Sequence, residues 1–355
     1  MKTRKALKLS IAVCLGSTAS FSIAQSSLTM YGRADASIGR EIDSNGQFRE
    51  GQGEGSLLGF KGKEDLGGGY SVFFDLQSSI TLQNGVQTGG TGVNGPAGFF
   101  DSKSIIGVQN EYGSIDAGRK LTPAWVVFLM GDPWGTYSYV SRNNAGLHAN
   151  HLFSSARNQN AGSVNLNYDG FFASVQVAQS DPKVVWATPP VIQTALVKNI
   201  TVTGSLPVSA AAGYSKGPVY FGVGYEATAY STKALGATAI YDWGIVKASF
   251  GVQAGGYTAP GTDKMQVKAI NMLAGLYVPM GTGTWLFSYD VLNTKTLNAA
   301  GGYDSYTTYP WISRKLGAGY QYYLSKATFL YADLVYDRRA PSGRAGWDVG
   351  MSHHF

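Results

Sequence analysis

Few side chains in this sequence could do covalent or metal chemistry. Its four histidines, His148, His151, His353 and His354, show neither H-E-x-x-H nor another spaced ligand pattern, and no serine motif accompanies them. The single cysteine, Cys14, lies in a leader expected to be removed, so neither a thiol nucleophile nor a Cys-ligated zinc is expected. Gly90–Gly95, GTGVNG, has the spacing of a nucleotide-binding turn, but no strand leads into it and Pro96 follows; it reads as a flexible loop. The N-I-T triplet at Asn199 is uninformative alone. No catalytic residue, cofactor or metal is expected. What remains is isolated charge at Arg33, Asp35, Lys61, Lys63, Asp101, Lys103, Asp132 and Arg142. Such charges bias small ions if they face water, so the question is what elements hold them there.

Those elements read as strands. In VYFGVGYEATAY, Val219, Phe221, Val223 and Tyr225 share one face, and Tyr220, Gly222, Gly224 and Glu226 the other. YSVFFDLQ sets Tyr70, Val72, Phe74 and Leu76 against Ser71, Phe73, Asp75 and Gln77. TWLFSYDV sets Trp285, Phe287, Tyr289 and Val291 against Thr284, Ser288 and Asp290. Period-two alternation marks strands with two different faces. About sixteen such runs fill the chain from residue 28 to the end. Their connections largely alternate between tight ones, such as EDLGGG, YDGF, SKGP and MGTG, and long polar ones, such as 40–55, 80–98 and 180–208. The connection near 230–233 is short where a long one is due. This asymmetry predicts an all-β fold, a transmembrane antiparallel β-barrel of about 16 strands with short periplasmic turns and long external loops. A soluble sandwich would also alternate, but would not need an export leader, strands of about ten residues or aromatic girdles. In the last run, Trp347 and Phe355 stand apart by about the height of an apolar band, near 25 Å.

The leader is MKTRKALK followed by LSIAVCLGSTASFSIA, a basic and then apolar segment ending in small residues. That is the pattern of a secretory signal over 1–24, leaving one barrel domain over 25–355. Its removal takes Lys2, Arg4, Lys5 and Lys8, so the 28 basic residues fall to 24 against 22 acidic ones. No basic cluster remains to support nucleic-acid binding. Charged residues make up 14% of the chain, well below the roughly 25% of soluble proteins, while 47 glycines and 22 tyrosines suit strands that are apolar on one side.

Given a barrel, alternation turns Arg33, Asp35, Lys61, Lys63, Asp101 and Lys103 inward, with Leu58, Phe60, Ile106 and Val108 outward. A charge on the lipid face at mid-depth would cost about 2–4 kcal/mol. KLTPAWVVFLMGDPWGTYSYVSRN, from Lys120 to Asn143, is too apolar for a water-facing loop, and prolines and glycines break it too often for a spanning helix.

SSLTMYGRADASIG, LLGFKGKEDLGGGYSVFFDLQS, IDAGRKLTP and the ending DVGMSHHF resemble the general, non-specific porins of β-proteobacterial outer membranes. The resemblance spreads over the whole mature chain and is weakest in the long loops. It implies a sixteen-stranded homotrimer in outer-membrane lipid, passing small hydrophilic solutes and ions. It also implies a third external loop, within 120–146, folded into the lumen. Irregular backbone at membrane depth is tolerated where it lines a cavity. Trp125, Val126, Val127, Phe128 and Leu129 would then anchor the loop, and Asp132 would face the water. Lys61, Lys103 and Arg142 match positions where related anion-preferring porins carry a basic cluster. Lysine stands for the usual arginine at two of them and lacks the planar fork that grips carboxylates. The expected constriction set is therefore Arg33, Lys61, Lys103, Asp101, Asp132 and Arg142, with a weak anion preference. Phe355 would be read by the barrel-insertion machinery. The competing readings are a surface-binding adhesive barrel and a barrel enzyme.

Overall fold

The computed structural model describes residues 27–355 apart from 45, 54, 88–97, 136–152, 180–205, 230, 259–260 and 308–311. The leader with Cys14, the Gly90–Gly95 loop, Asn199, Arg142, His148 and His151 lie outside the described residues.

Strands dominate: β1 Ser27–Arg40, β2 Arg49–Gly51, β3 Ser56–Gly67, β4 Tyr70–Ile80, β5 Lys103–Asn110, β6 Gly113–Leu121, β7 Arg157–Tyr168, β8 Phe171–Ala178, β9 Val208–Lys216, β10 Val219–Ala227, β11 Thr232–Asp242, β12 Lys247–Tyr257, β13 Val267–Met280, β14 Gly283–Leu297, β15 Tyr303–Ser305, β16 Ile312–Tyr323, β17 Thr328–Asp337 and β18 Ala345–His354. The three-residue strands β2 and β15 are loop extensions; the other sixteen form one antiparallel sheet closed by β1 pairing with β18. Closure is completed at the last residue: Gly32 N–H donates to the Phe355 carbonyl at 2.9 Å, and Phe355 N–H to Gly32 at 3.1 Å. With no free edge, every strand finds its backbone partners without water, as a membrane interior demands.

Hairpin chemistry fixes one rim. Tyr168 pairs with Phe171 across Asp169–Gly170, both at positive φ (46° and 87°), a two-residue turn whose twist matches its strands. This periplasmic rim carries outward aromatics, among them Tyr70, Tyr112, Tyr168, Phe171, Trp243 and Tyr323. The other rim carries the long connections, and the short link between β10 and β11 belongs to it. Outward positions are apolar and bare of protein, as at Leu28 (72% exposed), Ile106 (61%) and Ile115 (66%). Inward positions on β10 are Tyr220, Gly222, Gly224 and Glu226, the face expected from alternation.

Candidate functional site

The third external loop enters the barrel. It begins as a short helix, α1 (Pro123–Leu129), where an irregular segment was expected. Thr122 caps it, its hydroxyl accepting Trp125 N–H at 3.3 Å, and Pro123 takes the first helical position, where no N–H is needed. Seven residues do not make a stable helix alone; α1 is held by packing on the inner faces of β8–β12. Trp125, Val127 and Phe128 are buried against that wall, but Val126 and Met130 are each 42% exposed. The expectation that Val126 anchors the loop is therefore corrected, because helical geometry turns it away from the wall.

The wall beneath the loop is paved with glycine. A methyl group on Gly224 would lie 2.8 Å from the Ala124 Cα; on Gly236 it would meet the Phe128 ring at 2.8 Å, and on Gly275 the Pro133 ring at 2.6 Å. The backbone could not approach so closely over larger side chains.

Polar anchors fix the loop's course. Glu226, fully buried, accepts from Thr122 Oγ1 (2.7 Å), Ser154 Oγ (2.8 Å), Ser155 N–H (2.7 Å) and Ser155 Oγ (2.7 Å), so one carboxylate ties the loop's start to its end. Ser209 Oγ accepts Ala124 N–H at 3.0 Å, and Ser249 Oγ donates to the Gly131 carbonyl at 2.7 Å. Farther along, Trp134 Nε1 donates to Asp333 at 2.9 Å, and its ring packs with Ile42, Leu286 and Val335. The loop thus crosses from the β9–β12 wall to the β14–β17 wall.

Between α1 and the β5–β10 wall is a cavity of about 460 Å³, lined by Lys103, Lys120, Asn165 and Tyr220 on one side and Val126 and Met130 on the other. Lys103 Nζ lies 2.9 Å from Asp75 Oδ2, and Lys120 Nζ lies 2.7 Å from Asp116 Oδ2. Asp75 also accepts the Tyr31 hydroxyl. Lys61, cross-strand partner of Asp75, is exposed, with its ammonium 5.2 Å from the Tyr31 ring centroid. Of the expected basic residues, Lys61 and Lys103 both stand beside Asp75, Lys61 as its cross-strand partner and Lys103 as its ion pair. Arg33 Nε donates to the Gly55 carbonyl at 2.7 Å, holding the first external loop. Asp101 is 7% exposed and accepts Ser79 N–H at 2.8 Å, while its carbonyl accepts Arg119 Nε. Asp35 is fully buried and accepts Gly53 N–H and the Tyr331 hydroxyl.

Asp132 requires a correction. It is 3% exposed, and its carboxylate accepts Trp134 N–H at 3.0 Å, two residues on. The aspartate caps a turn and does not face the water path; an Asp two residues before an N–H it can reach favours that local bond. Glu226, Asp75 and Lys120 are functional positions with no catalytic or ligand-binding motif around them in the sequence. All three stand on inward positions of alternating strands, which was a usable signal of face though not of partner.

The Gram-negative porin family profile matches residues 10–340. The chain belongs to the Gram-negative porin family. Its place is accordingly the Gram-negative outer membrane, and its barrel is a channel for passive diffusion of small hydrophilic solutes. This porin is 25% identical to outer membrane porin protein 32 of Delftia acidovorans over 95% of its own length and 91% of the relative's. It is also 25% identical to an outer membrane porin protein of Bordetella pertussis, over 94% of its own length and 95% of the relative's. A solved anion-selective porin from Comamonas acidovorans superposes with a TM-score of 0.69 at 21% identity, covering 93% of this porin and all of that chain.

Proposed function

We propose that this channel weakly prefers anions. The observation that carries this is where charge meets water in the lumen. Asp35, Asp101, Asp116, Glu226 and Asp290 are at most 7% exposed, whereas Lys61 and Lys63 remain exposed on the inner wall. Buried carboxylates engaged by donors are screened from a passing ion, and extended ammonium groups are not. The similarity to a porin described as anion-selective supports the same reading. Arg142 belongs to the proposed basic set by resemblance. We further propose that the protein is a homotrimer, catalyses no reaction, and is recognised through Phe355 by the insertion machinery.

The test is the reversal potential across a planar bilayer in a KCl gradient. Two unit charges about 4 Å apart interact by roughly 1 kcal/mol in water and about 4 kcal/mol at an effective dielectric of 20. Even the smaller figure alters local ion occupancy about fivefold. Lys61→Glu should move the reversal potential toward cation preference, more at 0.1 M salt than at 1 M, because the screening length falls from about 10 Å to about 3 Å. A wild-type reversal potential at low salt would sink the anion reading.

A further inference from the structure

We propose that the outer wall of β11–β14, at its external rim, binds the phosphate-bearing head group of an outer-leaflet lipid. A single row of cross-strand neighbours runs Lys233 on β11, Gly256 on β12, Lys268 on β13 and Lys295 on β14. The three lysines share the outward face with Leu235 and Ile270, which are 54% and 39% exposed. Lys268 and Lys295 are direct partners, a like-charge placement that destabilises a sheet when nothing neutralises it. Among the described residues none of the three has an ion-pair partner. The acids of the adjoining loops do not supply one: Asp304 accepts from Asn298 at 3.0 Å, and Asp263 forms no ion pair with the row. The Lys268 ammonium stands 3.3 Å from the Tyr303 ring centroid, which holds the cation in place without cancelling its charge.

Below the row lies a groove of about 500 Å³ with an apolar floor of Tyr225, Leu235, Ala254 and Ile270, while the Met265 sulfur covers Gly256 within the row. The lysines are at the strand ends nearest the external loops, and the floor runs toward mid-membrane. Cations above and an apolar trough below match one amphipathic molecule, a phosphate over acyl chain. A soluble anion would leave the trough bare. Lysines reaching individually for the interface are ordinary, but that does not explain three in one row without an acid.

This inference rests on outer-membrane placement and not on ion selectivity, so conductance separates the two. The full protein is reconstituted in phosphatidylcholine bilayers with spin-labelled phosphatidic acid or, in parallel, the equally acylated diacylglycerol. Three basic residues near an anionic surface correspond to a preference on the order of 100-fold before screening. Wild type should favour phosphatidic acid by about tenfold or more, and K233Q/K268Q/K295Q should fall to within about twofold of the neutral lipid. The matching Lys→Arg triple should retain the preference, and the Gln triple should keep its single-channel conductance. If the Gln triple does not insert, K268Q alone, which dissolves the like-charge pair, should still lower the preference severalfold. Equal lipid preference in wild type and Gln variants overturns the proposal. So does full displacement by inorganic phosphate, which would mean a free-anion site, or a change of oligomeric state, which would make the row a seam between copies.

Discussion

Glu226 should control how firmly the channel is constricted. Its two oxygens take four donors, three of them hydroxyls and one the Ser155 backbone N–H. Hydroxyls can rotate toward other partners: Ser155 Oγ already lies 2.9 Å from Asn158, Ser154 Oγ accepts Ala156 N–H at 3.1 Å, and Thr122 Oγ1 caps α1. The backbone N–H cannot turn, and an orphaned buried donor costs about 1–3 kcal/mol. Adding the lost charge-assisted bonds, Glu226→Ala should weaken the tether by about 2–4 kcal/mol. Glu226→Gln should cost less, about 1–2 kcal/mol, because its amide oxygen can keep Ser155 while its NH2 group faces hydroxyls able to accept. A tether weaker by about 2–4 kcal/mol raises the population of a released loop by roughly 30- to 1000-fold. Single-channel recording should show excess current noise and larger openings in the alanine variant, little change in the glutamine variant, and an upper limit set by a channel lacking Ala124–Trp134. Wild-type conductance and noise in folded Glu226→Ala would refute the claim that this carboxylate holds the loop.

Gly224→Val places a branched side chain where a Cβ already meets the Ala124 backbone at 2.8 Å, so it should lift α1 off the wall and change conductance while leaving the barrel's strand content, read by circular dichroism, intact. Asp75→Asn removes the partner of Lys103 and should move the reversal potential toward stronger anion preference; since both groups are partly exposed, the stability loss should stay below about 1 kcal/mol in a denaturation midpoint. Deleting Phe355 removes the residue that closes the barrel against Gly32, and should lower the amount of folded protein in the outer membrane, measured by heat-modifiable gel mobility.

Alternation made the faces legible because side chains in a strand have a period of two and nothing else competes with it. It placed Glu226 with Gly222 and Gly224 and turned Asp75 away from Leu76, and the structure keeps both assignments. It could not show that Glu226 meets Thr122, 104 residues earlier, because the path of a loop through the lumen leaves no periodic trace. Nor could it separate charges in water from charges spent on structure. Lys315 is fully buried, with Asp290 on β14 and Asp337 on β17 as its cross-strand neighbours, although its Nζ reaches no hydrogen-bond partner. From alternation alone it is one more inward lysine. Asp132 differs from expectation for a related reason: within a loop inside the channel its carboxylate is taken by a local turn bond to Trp134 N–H.

The division between buried acids and exposed lysines has a physical origin in side-chain length and hydrogen-bond type. A carboxylate is short and only accepts, which suits it to gather the N–H and O–H donors that loops bring to the wall, as Asp35 does for Gly53, Asp101 for Ser79 and Glu226 for Ser155. An ammonium only donates and rides on a long stem, so it reaches water past its neighbours, as at Lys61, unless an acid on the same face takes it, as Asp116 takes Lys120. The mature chain as read from the sequence has nearly balanced charge, 24 basic residues against 22 acidic. The sign that an ion meets inside the barrel follows instead from which charges the loops have consumed. A substitution that frees a buried carboxylate should therefore shift selectivity as strongly as one that removes an exposed lysine.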